Sequence, residues 1–234
     1  MPYTHRPELY DLEYAAKDYA GEAGTIARIV RERNPQAATL LDVACGTGKH
    51  LEHLRHDFAC EGVDLDDGLL EVARARLPGV PLQQGDMRAL ALGRRFDAVT
   101  CLFSAIGFVG GPEGLAAAAR GLAAHVAPGG VLLVEPWLEP HVWIPNRPHV
   151  LSADAPGVAL ARVTVSGLRG ERVSTTGMHY LVGTLDGVEH FVEDHELYLF
   201  TADEMRAAFE EAGLQAELDP VGLIGRGIWI CTPS

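Results

Sequence analysis

The chain has 234 residues, 47% hydrophobic and 22% charged, which is the balance of a folded globular chain and enough length for one large α/β domain with a modest insertion. Acidic residues outnumber basic ones 32 to 19, and the resulting net charge of −13 repels phosphate backbones, so nucleic acid is excluded as an expected partner. An anionic small molecule stays open, because a single Arg or a helix N-terminus can receive it locally.

The four cysteines, Cys45, Cys60, Cys101 and Cys231, are dispersed and form no CxxC pair. With no leader peptide and no apolar run near the roughly 18 residues of a membrane span, a reduced, cytoplasmic, non-membrane protein is expected.

Met1 to Asp18 is rich in Tyr and interrupted by Pro2 and Pro7, and predicts an irregular lead-in or a short helix. Ala23, Ile26, Ala27 and Val30 then follow helical spacing from Tyr19 to Arg33, and Asn34-Pro35 ends that helix. Thr39 to Ala44 reads as a strand, followed by a glycine turn and an amphipathic helix from Lys49 to His56. The alternation continues. Gly62-Val63-Asp64 closes a second strand, Leu69 to Leu77 is a helix, and Pro81 to Gln84 is a third strand. Phe96 to Phe103 is a fourth strand, Pro112 opens an Ala-rich helix to Val126, and Val131 to Val134 is a fifth strand. Repeated strand and helix in this order imply a parallel sheet covered on both faces.

After Pro136 the pattern changes. A Pro-rich loop reaches Pro148, and the runs Ala161 to Val165, Met178 to Val182 and Phe191 to Phe200 follow with Gly-containing turns at Gly167 to Gly170 and Asp186-Gly187. These predict an antiparallel meander inserted into the parallel domain. Thr201-Ala202-Asp203-Glu204 has capping-box spacing and opens a helix to Ala212, after which Gln215 to Leu218 and Gly227 to Cys231 are two last strands.

The turn Asp42-Val43-Ala44-Cys45-Gly46-Thr47-Gly48 carries the first functional signal. Small residues after a first strand let backbone amides approach a ligand, a device that several nucleotide folds share. A dinucleotide fingerprint needs Gly where Leu51 stands. A phosphate-binding P-loop needs Gly at Val43 and Ser or Thr at His50. An acidic residue just before the turn instead suits a cationic amino group, as in S-adenosylmethionine (SAM). Asp64, ending the second strand, is placed to accept from two ribose hydroxyls. Asp86 and Met87 follow the third strand, where a carboxylate and a thioether suit the amino group and face of adenine. Leu65 and Leu102 complete the expected cofactor lining.

Those residues carry a resemblance to class I SAM-dependent methyltransferases, and within that class to the dTDP-aminosugar N,N-dimethyltransferases of desosamine and mycaminose type. The similarity runs through nearly the whole chain. It includes Leu9-Tyr10-Asp11-Leu12, Lys17-Asp18-Tyr19, Gly85-Asp86-Met87-Arg88, Phe103-Ser104, Val134-Glu135-Pro136-Trp137, His195 with Leu199-Phe200-Thr201, and Gly225-Arg226-Gly227. Two stretches depart from it. The spacing from Tyr10 to Lys17 is shorter, and Leu138-Glu139-Pro140-His141 follows Trp137 where such enzymes carry a second Trp and a Phe.

The resemblance implies a Rossmann-like fold with a mostly parallel seven-stranded sheet and an inserted antiparallel β meander. It divides the chain into a SAM-binding core with an N-terminal lid (1–136), inserted strands over the acceptor site (137–200) and a final helix and strands (201–234). It also implies that Tyr10 and Tyr19 lie over SAM, that Tyr3, Ser104, Trp137 and Arg226 line an aminosugar-nucleotide site, and that the protein is a homodimer. Arg226, between two glycines, would pair the diphosphate.

Methyl transfer to a neutral amine needs alignment and a pocket that disfavours ammonium, and an aromatic lining of Phe103, Phe108 and Trp137 suits this. A hydroxyl acceptor would need a positioned base, for which His195 is the candidate by strand parity with Leu197 and Leu199. His50, His53 and His56 read as a solvated helix face, and no metal site is expected. The alternatives are a methyltransferase of another small-molecule amine or hydroxyl and, further off, a non-catalytic nucleotide-binding module or NAD(P) oxidoreductase.

Overall fold

The structure is a computed structural model that describes residues 6–234. A first helical turn, α1 (Tyr10–Glu13), precedes α2 (Tyr19–Arg33), whose N-terminus is capped by the Asp18 carboxylate accepting from the Gly21 amide. The core then alternates through β1 (Thr39–Val43), α3 (Lys49–Leu54), β2 (Ala59–Asp64), α4 (Asp67–Arg76), β3 (Leu82–Gln84), β4 (Phe96–Cys101), α5 (Pro112–Ala124) and β5 (Val126–Val134). Four strands follow without a helix: β6 (Pro148–Ala155), β7 (Val158–Arg169), β8 (Val173–Thr184) and β9 (Gly187–Tyr198). The chain closes with α6 (Ala202–Glu211), β10 (Leu214–Asp219) and β11 (Ile228–Pro233).

Seven strands form one sheet in the order β10-β11-β5-β4-β1-β2-β3, and β11 alone runs against its neighbours. Each central strand is apolar on both sides. Leu41, Val43, Val99 and Cys101 pack under α5 and α6, while Leu40, Ala98, Val131 and Leu133 pack under α2, α3 and α4. A sheet buried on both faces reads as continuous apolar runs, which is why these strands were visible in the sequence. Strand order reverses between β1 and β4, and a crevice opens there beyond the strand ends, where ligands of doubly wound sheets bind.

The expected meander forms a second, separate sheet, β6-β7-β8-β9, antiparallel throughout. It has one strand more than the sequence predicts, and its strands are longer. β6 is exposed along most of its length, so its residues carry no buried alternation to read. Gly167 lies inside β7, paired with Thr175, and the turn falls at Gly170 (φ 61°) instead.

The capping box of α6 is as expected. Thr201 Oγ1 accepts from the Glu204 amide and Glu204 Oε2 accepts from the Thr201 amide at 2.8 Å. Replacing Thr201 by Ala is expected to cost about 1 kcal/mol, read as a lower midpoint of urea unfolding. An unchanged midpoint would show that α6 is held by packing alone.

Candidate active site

A cavity of about 540 Å³ opens at the reversal point and continues under the inner face of the meander. Its first half is built by the turn after β1. Ala44, Gly46 and Gly48 all adopt positive φ (64°, 54° and 75°), which tucks the chain back so that α3 starts close to the strand. Gly48 has a second reason to be Gly, since a Cβ there would stand 2.6 Å from Leu77 Cδ1. The Gly46 amide donates to Asp64 Oδ2 at 2.7 Å and the Asp66 amide to Oδ1 at 2.8 Å. Asp64 is thereby fixed at the cavity wall, 8% exposed. Burial pushes its carboxyl above the ordinary range, against the pull of those two amides.

Leu65, Asp86, Met87 and Leu102 line the same half. Asp86 is not isolated, however. Arg88 grips both its oxygens, with Nη2 at 2.6 Å, and holds the Asp86 carboxyl below the usual range. Asp42 departs further from expectation. It does not line the cavity but lies behind the turn, 2% exposed, accepting from Thr100 Oγ1 at 2.7 Å. Cys45 and Thr47 also stand behind the lining, Cys45 in the apolar cluster under α3 and Thr47 donating to Asp11 Oδ1 at 2.6 Å.

The N-terminal turn covers the middle of the cavity. Tyr10 and Tyr14, four residues apart and so on one side of the turn, both line it. Their rings lie 4.9 Å apart, and Tyr14 meets Phe103 edge-on at 5.0 Å. Tyr14 was not singled out from the sequence, although its spacing from Tyr10 is the signal. Tyr19, by contrast, is buried outside the lining, against His50 at 4.9 Å. His50 is no solvated helix residue either. It is 6% exposed, and its Nε2 pairs with Glu22 Oε2 at 2.8 Å, while Lys17 bonds the other Glu22 oxygen. His53 is half-buried in the last turn of α3, and His56 is exposed in the turn that follows it.

The far half carries Phe103, Ser104, Phe108, Trp137 and Arg226, all in the lining. Phe103 and Ser104 have positive φ (52° and 61°), an arrangement that costs of order 1–3 kcal/mol per residue. Buried Glu135 holds it, its Oε2 accepting from the Phe103 amide at 2.6 Å. Ser104 Oγ donates to the Pro136 carbonyl and receives Arg226 Nη1 at 2.9 Å, and the guanidinium lies 5.1 Å over the Trp137 ring. Trp143, five residues beyond Leu138 in a loop that the sequence left unread, stands 5.7 Å from Trp137. It supplies a second indole where the chain departs from the pattern it resembles.

The meander's inner face adds Arg162, Thr164, Ser166, Thr176, Met178, His195 and Leu197. His195 therefore faces the cavity, as its parity predicts, 5.9 Å from Phe108 and with Nε2 3.5 Å from Glu193 Oε2. His179 and His190 stack on each other on the outer face, away from the cavity. Tyr3 lies outside the described residues. No cluster of His, Cys, Asp and Glu suited to a metal ion occurs among the described residues, and none of their helices is long and apolar enough to cross a membrane.

Residues 40–130 match the model of a methyltransferase domain. The chain is 45% identical over 231 residues, covering 97% of itself and 90% of the relative, to dTDP-3-amino-3,6-dideoxy-alpha-D-glucopyranose N,N-dimethyltransferase of Streptomyces fradiae. It is 43% identical, covering 97% of each, to dTDP-3-amino-3,4,6-trideoxy-alpha-D-glucopyranose N,N-dimethyltransferase of Streptomyces venezuelae. Among solved structures it is similar to SAM-bound CalS10, an amino pentose methyltransferase of Micromonospora echinaspora involved in calicheamicin biosynthesis. That match has a TM-score of 0.86 at 41% identity, covering 94% of this chain and 93% of the other.

Burial raises the Asp42 carboxyl to about 6. The folded chain keeps this proton up to that pH, whereas the unfolded chain releases it near pH 4. In between, the unfolded state binds fewer protons, so Asp42 removes stability as pH rises. Relative to the parent, Asp42→Asn is expected to gain stability between about pH 4 and 6.5, by up to roughly 3 kcal/mol, in paired urea titrations. A difference that stays flat over this window would contradict the assignment.

Proposed function

Because the chain belongs to the dTDP-aminosugar N,N-dimethyltransferases, a family of SAM-dependent methyltransferases, we propose that it transfers two methyl groups in succession to the amine of a dTDP-linked amino-deoxysugar in natural-product biosynthesis. The observation that carries this reading is the single cavity joining Asp64 at one end to Trp137, Trp143 and Arg226 at the other. A cofactor and a nucleotide-linked acceptor would meet in it beside Tyr10, Tyr14 and Phe103.

When bound, SAM supplies an activated methyl group and leaves as S-adenosylhomocysteine. The donor and acceptor set suits it. Asp64 has its carboxylate pinned by two amides at the cavity wall, the arrangement needed to accept from a pair of ribose hydroxyls. Leu65, Met87 and Leu102 offer apolar surface for adenine, with Asp86 at its edge, and Ala44 and Gly46 of the turn would carry the amino-acid end. Asp42, set behind that turn, would act on the cofactor's ammonium through its field and not by contact.

On the acceptor side, Arg226 would meet the diphosphate. Ser104 and the Trp137 ring fix the guanidinium, so little freedom is lost when an anion binds. Phe103, Phe108 and Trp137 leave the amine few polar neighbours. That environment disfavours ammonium and lowers the amine pKa, so the reactive lone pair is exposed by desolvation and held in line by the wall.

One observation favours a second reading. His195, buried in the wall beside Glu193, is placed as a base for a hydroxyl acceptor. Incubation with SAM and dTDP-3-amino-3,6-dideoxyglucose is expected to give mono- and then dimethylated product by mass spectrometry. His195→Ala should slow this by less than about 100-fold, since an essential base is worth about 10²–10⁴. A panel of dTDP-aminosugars left unmethylated, while a hydroxyl compound turns over and loses that turnover in His195→Ala, would replace the first reading by the second.

A further inference from the structure

The inner face of the meander has a polar row on β7, Arg162, Thr164 and Ser166, spaced two apart and so on one side of the sheet. Its two ends are anchored to different parts of the site. Arg162 Nη1 pairs with Glu13 and lies 3.4 Å from the Tyr14 hydroxyl, so that end lies at the middle of the cavity, beside the tyrosines. At the other end, Ser166 Oγ bonds the Ile144 carbonyl at 2.9 Å and the Arg147 amide at 3.0 Å, holding the loop that carries Trp143. From Arg162 to Ser166 the strand spans roughly 13 Å, and Thr164 stands midway, between the methyl-transfer region and the aromatic, cationic end.

The polar groups of this wall are not equally committed. The Ser166 hydroxyl is fully engaged by the loop, and Thr176 Oγ1 donates to the His195 carbonyl at 3.4 Å. The Thr164 hydroxyl, in a residue 5% exposed, has no hydrogen-bond partner, and neither does the Arg162 Nε–H. A hydroxyl and a guanidinium N–H left unmatched in a binding wall call for an oxygen from the ligand, because a buried unpaired donor is destabilising until one arrives. The two relatives reported above act, by name, on 3-aminosugars that differ by one ring hydroxyl, at C4.

Resting on the acceptor reading above, we propose that Thr164, with Arg162 Nε beside it on β7, recognises the C4 hydroxyl, one of the two that flank the amine-bearing carbon, so that this enzyme takes the hydroxylated aminosugar and discriminates against its 4-deoxy counterpart. Thr164 acts here as a specificity-determining residue. A site built around a substrate hydroxyl rejects the analogue lacking it more sharply than an apolar pocket rejects a missing methylene.

The test compares kcat/KM for dTDP-3-amino-3,6-dideoxyglucose and dTDP-3-amino-3,4,6-trideoxyglucose in the parent, Thr164→Val and Thr164→Ser. The parent is expected to favour the hydroxylated sugar by at least about 10-fold. Thr164→Val should bring the ratio near one and Thr164→Ser should restore it, with SAM affinity by calorimetry equal in all three proteins as the check on folding. Equal kcat/KM for both sugars in the parent overturns the proposal, as does a preference that persists in Thr164→Val. If neither sugar is methylated while SAM still binds, the acceptor reading itself fails, an outcome distinct from the other two.

Discussion

Two carboxylates on one helical turn hold the site together. Asp11 and Glu13 are two apart on α1 and so point in different directions. Asp11 accepts from Thr47 in the cofactor turn and pairs with Arg76 of α4. Glu13 pairs with Arg162 of the meander and accepts from the Tyr180 hydroxyl at 3.0 Å. The same turn leaves Tyr10 and Tyr14 facing the cavity. Burying a carboxylate is costly unless charge and hydrogen bonds compensate it, and breaking one such pair strands the partner charge. The N-terminal segment is therefore fixed at both sides, and the tyrosine wall between cofactor and acceptor depends on those ties.

Charge follows the same local logic. The chain as a whole is strongly acidic, yet Arg88, Arg147, Arg162 and Arg226 all reach the cavity, against Asp64, Asp66 and Asp86. The carboxylates gather at the end suited to hydroxyls and a cationic cofactor, and Arg147 and Arg226 at the end suited to a diphosphate. Strain is concentrated here too. Four non-glycine residues with positive φ occur among the described residues, and Ala44, Phe103 and Ser104 line the cavity. Glu135, buried and bonded to the Phe103 amide, shows how such a backbone is kept in place.

Core elements were legible because their signals are local: two-sided apolar strands, a Pro or Gly at each end, and a capping box whose two hydrogen bonds both form. The placement of Asp64 and Met87 was legible because they end or closely follow successive strands, whereas Ser104, Trp137 and Arg226 were legible through the family resemblance. The misreadings of His50 and Asp42 share one cause, a partner distant in sequence. His50 has the helical spacing of its exposed neighbours but is buried by Glu22, and Asp42 is turned from the ligand side by Thr100. β7 inverts the usual pattern, with Val163 and Val165 about half exposed and Thr164 and Ser166 buried, because its inner face borders a binding cavity and not a core. Periodicity finds such a strand but assigns its faces the wrong way round.

The two sheets share no strand: the strands of the meander pair only with one another, and the chain enters it after β5 and leaves it before α6. Alternate residues on one stretch of β7, β8 and β9 line the cavity, Arg162, Thr164, Ser166, Thr176, Met178, His195 and Leu197 among them, while the strands that carry the cofactor turn belong to the other sheet. Beyond Arg162, whose ion pair reaches α1, side chains on that face can be exchanged while the strands that build the cofactor turn stay as they are, so the acceptor half is a part that can be refitted separately.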